Sequence, residues 1–205
     1  MIRNLILDLG GVIFDIDYSL TIEAFSKIGL PDAAQMYSQA AQSGLFDQLE
    51  KGLIEEKDFY QTIRSLSGSL PSDSKIRDAW NALLIGVPEE NAIHLYELKK
   101  KYRLFLLSNT NTIHEAAYRL MITDEYGTFF FDDVFEKMYL SHRIHMRKPD
   151  REIFDFVIQH AGLIPDETLF ADDSLQHIIG AKVTGLHTIL VEKGKRLKDI
   201  LPIAD

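Results

Sequence analysis

Cysteine is absent from all 205 positions. Disulfides, thiolate catalysis and cysteine-based zinc sites are thereby excluded. Long apolar runs are missing as well, and none approaches the ~18 residues that a membrane span requires. Residues 1–14 are mostly apolar, with Arg3 near the start, and so imitate a secretory leader. Asp8 interrupts that run, however, and no small-residue cleavage pattern follows. The expectation is a cytoplasmic protein with no membrane partner. Positive charge is scarce: 22 Lys and Arg stand against 31 Asp and Glu, for a formal net charge of -9. Such a field repels duplex nucleic acid, so no nucleic-acid partner is expected. A small anionic ligand stays compatible if a metal and local donors offset the charge.

The rest of the composition is ordinary for a globular chain, at 46% hydrophobic and 26% charged residues. The length suits one domain, or one domain with a modest insertion. There are no repeats, and nothing in the pattern chooses between a monomer and a homodimer. Residues 2–7 form a short apolar run that stops at Asp8, with Gly10-Gly11 immediately after. Similar runs cover residues 103–107, 168–171 and 187–191, with a weaker one at 137–140. Short apolar runs that end in turn residues read as buried strands.

Helical patterns separate these runs. Pro88-Glu89-Glu90 opens a helix that Lys99-Lys100-Lys101 closes. Asp150 precedes an apolar face of Ile153, Phe154, Val157, Ile158 and Ala161. Residues 174–184 form another helix, ended by Gly185. Alternating strands and helices predict an α/β fold: a Rossmann-like parallel sheet sandwiched by helices. Residues 18–86 differ, because they carry helical patterns and no convincing strand. Ile22, Phe25 and Ile28 share one face, Phe59, Ile63 and Leu66 another, and Ile76, Trp80, Leu83 and Leu84 a third. The expected organisation is a discontinuous α/β core, residues 1–14 and 88–205, with a small helical cap domain at 15–87.

Four segments that carry chemistry each fall where a predicted strand ends, which is where open parallel sheets bind ligands. Asp8-Leu9-Gly10-Gly11-Val12 offers a carboxylate that can attack phosphorus or bind a hard cation. A plain aspartate in a glycine turn fits it equally. Ser108-Asn109-Thr110-Asn111 offers a hydroxyl and a backbone N–H for a phosphoryl oxygen, or helix caps. In Arg147-Lys148-Pro149-Asp150, Lys148 is either a charge-neutralising group or a solvated lysine before a helix. Asp172-Asp173 is the most informative segment, since two acids at the end of an apolar strand are costly unless a cation or donors balance them.

Taken in order, Asp, Ser, Lys and Asp-Asp at successive strand ends resemble the haloacid dehalogenase superfamily along the whole chain. The stretches Asp8-Leu9-Gly10-Gly11-Val12-Ile13, Leu107-Ser108-Asn109-Thr110-Asn111, Met146-Arg147-Lys148-Pro149 and Phe170-Ala171-Asp172-Asp173 look like the branch that holds bacterial alpha-glucose-1-phosphate phosphatases and the phosphatase domain of soluble epoxide hydrolases. The resemblance implies a Mg2+-dependent phosphatase of a small phosphorylated metabolite, such as a sugar phosphate. In that reading Asp8 attacks phosphorus. Asp8, the Gly10 carbonyl and Asp173 hold Mg2+, and Asp172 supports or joins them. Ser108 and the Asn109 N–H bind the transferring group, and Lys148 offsets the clustered charge.

One position departs from the superfamily pattern. Its phosphatases usually carry a second Asp two residues after the nucleophile, to protonate the leaving group, and Gly10 stands there instead. In this the chain resembles the glucose-1-phosphatase branch, which also carries Gly at that point. Asp15, Asp17, His142, His145 and His177 are candidate substitutes, each with a simple turn or hydrogen-bonding role as its alternative. Phe46, Asp47, Glu50 and Lys51 are candidates for the pocket mouth, against an ordinary amphipathic turn. Three other functions compete: a phosphate-binding regulatory protein, a 2-haloacid dehalogenase and a phosphomutase. Gly10 favours the first and argues against the last, while Asp172-Asp173 argue against the dehalogenase.

Overall fold

The computed structural model describes residues 1–31, 33–36 and 44–202. Strands β1 (Asn4–Leu7), β4 (Arg103–Ser108), β5 (Lys137–Leu140), β6 (Thr168–Asp172) and β7 (His187–Leu190) make a five-stranded parallel sheet. Two short strands, β2 (Asp15–Ile16) and β3 (Leu84–Gly86), lie outside it. The sheet order is β5-β4-β1-β6-β7, so β1 sits at the centre. Its alternation places Leu5 and Leu7 on one face and Ile6 on the other.

The Leu5 and Leu7 face is covered by α6 (Glu89–Lys99), α7 (Thr112–Tyr126), α8 (Phe130–Val134) and α12 (Leu197–Ile200). The Ile6 face packs against α10 (Arg151–His160) and α11 (Leu175–Lys182) through Ile153, Phe154, Val157, Ile178 and Ala181. A short helix, α9 (Ser141–Ile144), follows β5 directly. Burial on both faces explains why each central strand is a continuous apolar run rather than an alternating one. Each expected strand is present to within two residues, and the Rossmann-like α/β architecture is as expected.

Between β2 and β3 lie α1 (Tyr18–Lys27), α2 (Ala33–Met36), α3 (Gly44–Glu50), α4 (Glu56–Leu66) and α5 (Asp73–Asn81). They bury a cluster of their own, centred on Trp80 with Phe25, Phe46, Phe59, Ile63 and Ile76. The Phe46 and Trp80 rings stack with centroids 4.9 Å apart. Ile113 of α7 joins this cluster and so links it to the sheet.

The end of this insertion differs from the expected helix. Helix α5 stops at Asn81, and Leu84 belongs to β3, which pairs antiparallel with β2. Both connections to the sheet are therefore tied into one ribbon, with Asp15 opposite Gly86. Helical periodicity carried Leu83 and Leu84 along because a strand partner almost seventy residues upstream leaves no local signal. Leu66, expected on a buried face, is exposed. Asp150 and Ser174 occupy cap positions without a side-chain capping bond.

Candidate active site

Register brings the chemistry together. Leu7 pairs with Leu106 on one side and with Ala171 on the other, so the residues just past β1, β4 and β6 reach one rim of the sheet. The Asp8 N–H donates to the Ala171 carbonyl at 3.0 Å, which anchors the loop start beside Asp172. Lys148 enters from the loop before α10 and is fully buried. Its Nζ donates to the Leu107 carbonyl at 2.9 Å and to Asp172 Oδ2 at 2.6 Å, and lies 2.8 Å from Asp8 Oδ1. A solvated lysine is ruled out by this burial.

Asp172 is fully engaged. It also accepts from the Ser174 N–H at 2.8 Å and meets His177 Nδ1 at 2.9 Å. Burial works against its charge, but Lys148 and His177 outweigh it and hold the carboxyl below its ordinary value. Asp8 shifts the opposite way. Burial raises it against the pull of Lys148, and the charges of Asp172 and Asp173 add to the rise. Lys148 is itself raised, because Asp172 and Asp8 overcome the burial that would lower it.

Lys148 therefore meets two of the three acids that gather here. Oxygens of Asp8, Asp172 and Asp173 lie within 4.8 Å of one another. That excess of hard oxygen donors around a buried carboxylate suits a divalent cation such as Mg2+. Gly11 makes room for the Asp173 carboxylate. A Cβ there would stand 2.3 Å from Asp173 Oδ2, and φ is +76°, where side-chain-bearing residues rarely sit. A Cβ on Gly10 would meet Ile16 Cδ1 at 2.9 Å, so Ile16 occupies the space into which a side chain at position 10 would grow.

Ser108, at the end of β4, is buried at the same rim. The Asn109 side chain brackets the Lys148 backbone: its Nδ2 donates to the Lys148 carbonyl and its Oδ1 accepts the Lys148 N–H, both at 2.9 Å. This pair of hydrogen bonds pins the loop that aims Nζ. Asn111 is a cap, accepting the His114 N–H at 3.0 Å.

A pocket of about 710 Å3, counting the space open at its mouth, lies over this cluster. Asp8, Gly10, Ser108, Asn109, Asp173 and His177 line its floor, and the insertion contributes Tyr18, Glu50, Leu83 and Leu84. Burial first, then the charges of Asp173 and Asp8, push the Tyr18 phenol up. Arg147 ties floor to roof, reaching Asp47 Oδ1 at 3.1 Å and Glu50 Oε2 at 2.9 Å. Lys51 lies 3.9 Å from Asp150, and its carbonyl meets His145 Nδ1 at 2.8 Å. Asp47, Glu50 and Lys51 thus sit at the seam, whereas Phe46 is buried in the insertion's own core.

Of the five candidate acid–base substitutes, only His177 lines the pocket. Asp15 pairs with Arg196 at 2.7 Å, and Asp17 caps α1 by accepting the Ser19 N–H at 2.9 Å. His145 takes a left-handed conformation at φ +56°. His142 turns away to Glu115 at 3.0 Å.

That Glu115 is a buried hub among Arg119, Arg143 and His142. Burial alone would raise its carboxyl. Hydrogen bonds from His142 and Arg119, with the charges of Arg143 and Arg119, overcome this and hold it down at about 2. A depressed acid stabilises the fold above its unfolded value and loses that contribution as pH falls toward the folded one. Glu115→Gln is therefore expected to lower the melting temperature at pH 7, with the gap to wild type closing between about pH 4.5 and about 2. A gap that stays constant over a pH series of melts would show that charge is not the cause.

His114, Tyr118, Tyr18 and Arg147 also line the pocket, and sequence reasoning assigned none of them a place there. His114 and Tyr118, four apart after Ser108-Asn109, form an i, i+4 pair just behind a site motif. That was the one local signal available.

The model of the family described as haloacid dehalogenase-like hydrolase matches residues 87–191. D-ribitol-5-phosphate phosphatase of Bacteroides thetaiotaomicron is 35% identical over 195 residues, 95% of this chain and 94% of that protein. The chain belongs to the haloacid dehalogenase-like hydrolase family. Solved members resemble this hydrolase closely. A haloacid dehalogenase family enzyme from Bacteroides thetaiotaomicron, a point variant in complex with magnesium and inorganic phosphate, superposes with a TM-score of 0.91 at 37% identity, covering 99% of this chain and 100% of that one. A hydrolase of the same type from Porphyromonas gingivalis gives 0.88 at 30% identity, covering all of both chains. No helix among the described residues of this hydrolase is long and apolar enough to cross a membrane.

Proposed function

We propose that this haloacid dehalogenase-like phosphatase hydrolyses a small sugar or polyol phosphate through an aspartyl phosphate on Asp8. One observation carries the reading: a buried carboxylate, 2.8 Å from a buried lysine and clustered with two further acids, opens onto a cleft shared with Ser108. The magnesium and phosphate bound by a relative of the same fold support it, as does the named substrate of the ribitol phosphate phosphatase.

Asp8, the Gly10 carbonyl and Asp173 would hold Mg2+, which when bound neutralises phosphoryl oxygens next to the nucleophile. Asp172 has its oxygens committed to Lys148, His177 and the Ser174 N–H, so its role is to position its neighbours. Asp8 attacks phosphorus in line, and the ester oxygen leaves with the bonding pair. Ser108 and the Asn109 N–H hold the transferring oxygens, and Lys148 offsets their charge. Water then attacks the aspartyl phosphate and returns Asp8 and inorganic phosphate. Residues 15–87 act as the cap that closes over the ester, with the Arg147 pairs to Asp47 and Glu50 as its seam.

Gly10 has no proton to give, and Ile16 fills the adjacent space. General acid help is worth about 10²–10⁴-fold. Rates are therefore expected to rise steeply as the leaving group becomes more acidic, with aryl phosphates and sugar 1-phosphates ahead of simple alkyl esters. Phosphate release over such a series, with and without Mg2+, tests both parts. A flat series would assign the proton to another pocket group. Phosphate binding without release from any ester would favour the regulatory alternative.

A further inference from the structure

We propose that His114 and Tyr118 select the substrate by hydrogen-bonding hydroxyls on its carbon chain, so that the ester accepted is a polyhydroxylated one. The inference rests on the phosphatase reading above and concerns the part of the pocket beyond the phosphoryl group.

His114 and Tyr118 lie four residues apart on α7 and so share a face. Both line the same pocket as Asp8 and Ser108. The insertion holds the imidazole from two sides. Its ring stacks on Trp80, with centroids 4.5 Å apart and planes 23° apart, and Nδ1 meets Asn81 Oδ1 at 2.9 Å. An amide oxygen only accepts, so Nδ1 carries the proton and Nε2 is left as an acceptor. Burial pushes the imidazole down to about 3, which keeps it in this neutral form at physiological pH.

Nε2 is buried without a partner among the described residues. The Tyr118 hydroxyl is likewise buried with no partner in hydrogen-bonding geometry, although the Thr110 side chain lies near it. Unpaired buried polar atoms are uncommon in folded proteins, and two on one pocket wall call for a ligand that completes them. Phe14, Leu83 and Leu84 line the same pocket and give the carbon skeleton apolar contact. A hydroxyl-free ester would leave both polar atoms unpaired, and sites of this kind reject such analogues strongly.

The test compares D-ribitol 5-phosphate with n-pentyl phosphate, which has the same five carbons and no hydroxyls. Affinities are measured by titration calorimetry with Mg2+ on Asp8→Asn protein, which cannot turn either ester over. The polyol ester is expected to bind at least about tenfold tighter. Tyr118→Phe and His114→Phe, added singly, are expected to bring that ratio toward one. Phe keeps a ring against Trp80, and melting curves check that each variant is folded. Affinities within twofold in the parent, no binding of the polyol ester, or an equal loss for both ligands in the variants would overturn the inference. Phosphate release by the wild type is read separately. A kept affinity ratio without hydrolysis would sink the phosphatase reading and leave the subsite standing.

Discussion

Asp8→Asn is expected to reduce phosphate release by about 10⁴-fold or more, the scale on which a covalent nucleophile is lost. The amide is isosteric and cannot attack phosphorus. Its effect on stability should run the other way. Burial, reinforced by Asp172 and Asp173, raises the Asp8 carboxyl. A raised acid favours the folded state fully below its unfolded value, and that benefit is lost as pH rises through the folded one. Above that range the charged carboxylate burdens the metal-free protein, and Asn removes the burden. The metal-free variant should therefore melt at or above wild type at pH 8. Added Mg2+ should raise wild type more than the variant, because ligand binding to the native state alone stabilises it. Calorimetric melts with chelator and with Mg2+ read both terms. Unchanged turnover in the variant, or equal Mg2+ shifts, would remove Asp8 from the role given to it.

Lys148→Met should be the most damaging substitution for the fold. Met matches the length of the stem and removes the charge that Asp8 and Asp172 share at 2.8 and 2.6 Å. Removing one partner of a buried ion pair costs about 3–5 kcal/mol, because the remaining charge is stranded. For a chain of this size that corresponds to a fall of roughly 6–20 °C in melting temperature. The sign with pH follows from the acids. In wild type Lys148 helps to hold Asp172 down, and without it both carboxyls rise. The deficit should be largest near neutrality and shrink on acidification as the carboxyls protonate. A loss under about 1 kcal/mol at pH 7 would mean that the buried charges are balanced by something other than Lys148.

The parallel sheet was legible because both of its faces are covered, which leaves each central strand as an unbroken apolar run. Residues 103–107 and 168–171 were readable for that reason and match β4 and β6 closely. The insertion was legible as helices through Phe59 with Ile63 and Ile76 with Trp80. Its closing ribbon was not. Leu84 looks helical by spacing, and only pairing with Ile16 makes it a strand. Phe46 looked like a pocket residue for a similar reason: amphipathic spacing does not say which of two surfaces an apolar side chain faces, and packing on Trp80 decided it.

The clustering of Asp8, Asp172, Asp173 and Lys148 is a different case. The three acids could be read at strand ends, and strand register brought them to one rim, whereas Lys148, expected at a strand end, comes instead from the loop between α9 and α10. His114, Tyr118 and Arg147 had no such guide. Their place in the pocket depends on how the insertion settles on α7 and on the loop before α10.

What the linear order of residues determined is the alternation of strand and helix and the arrival of the acids and the Ser108 hydroxyl at strand ends. Those follow from local periodicity and from the turn residues that stop each run. What only the tertiary structure decided is which side chains complete the pocket. The Trp80 stack on His114, the Asn109 bracket around Lys148 and the Arg147 pairs across the seam each join residues more than thirty positions apart. Such pairings depend on three-dimensional packing, and no local pattern of sequence encodes them.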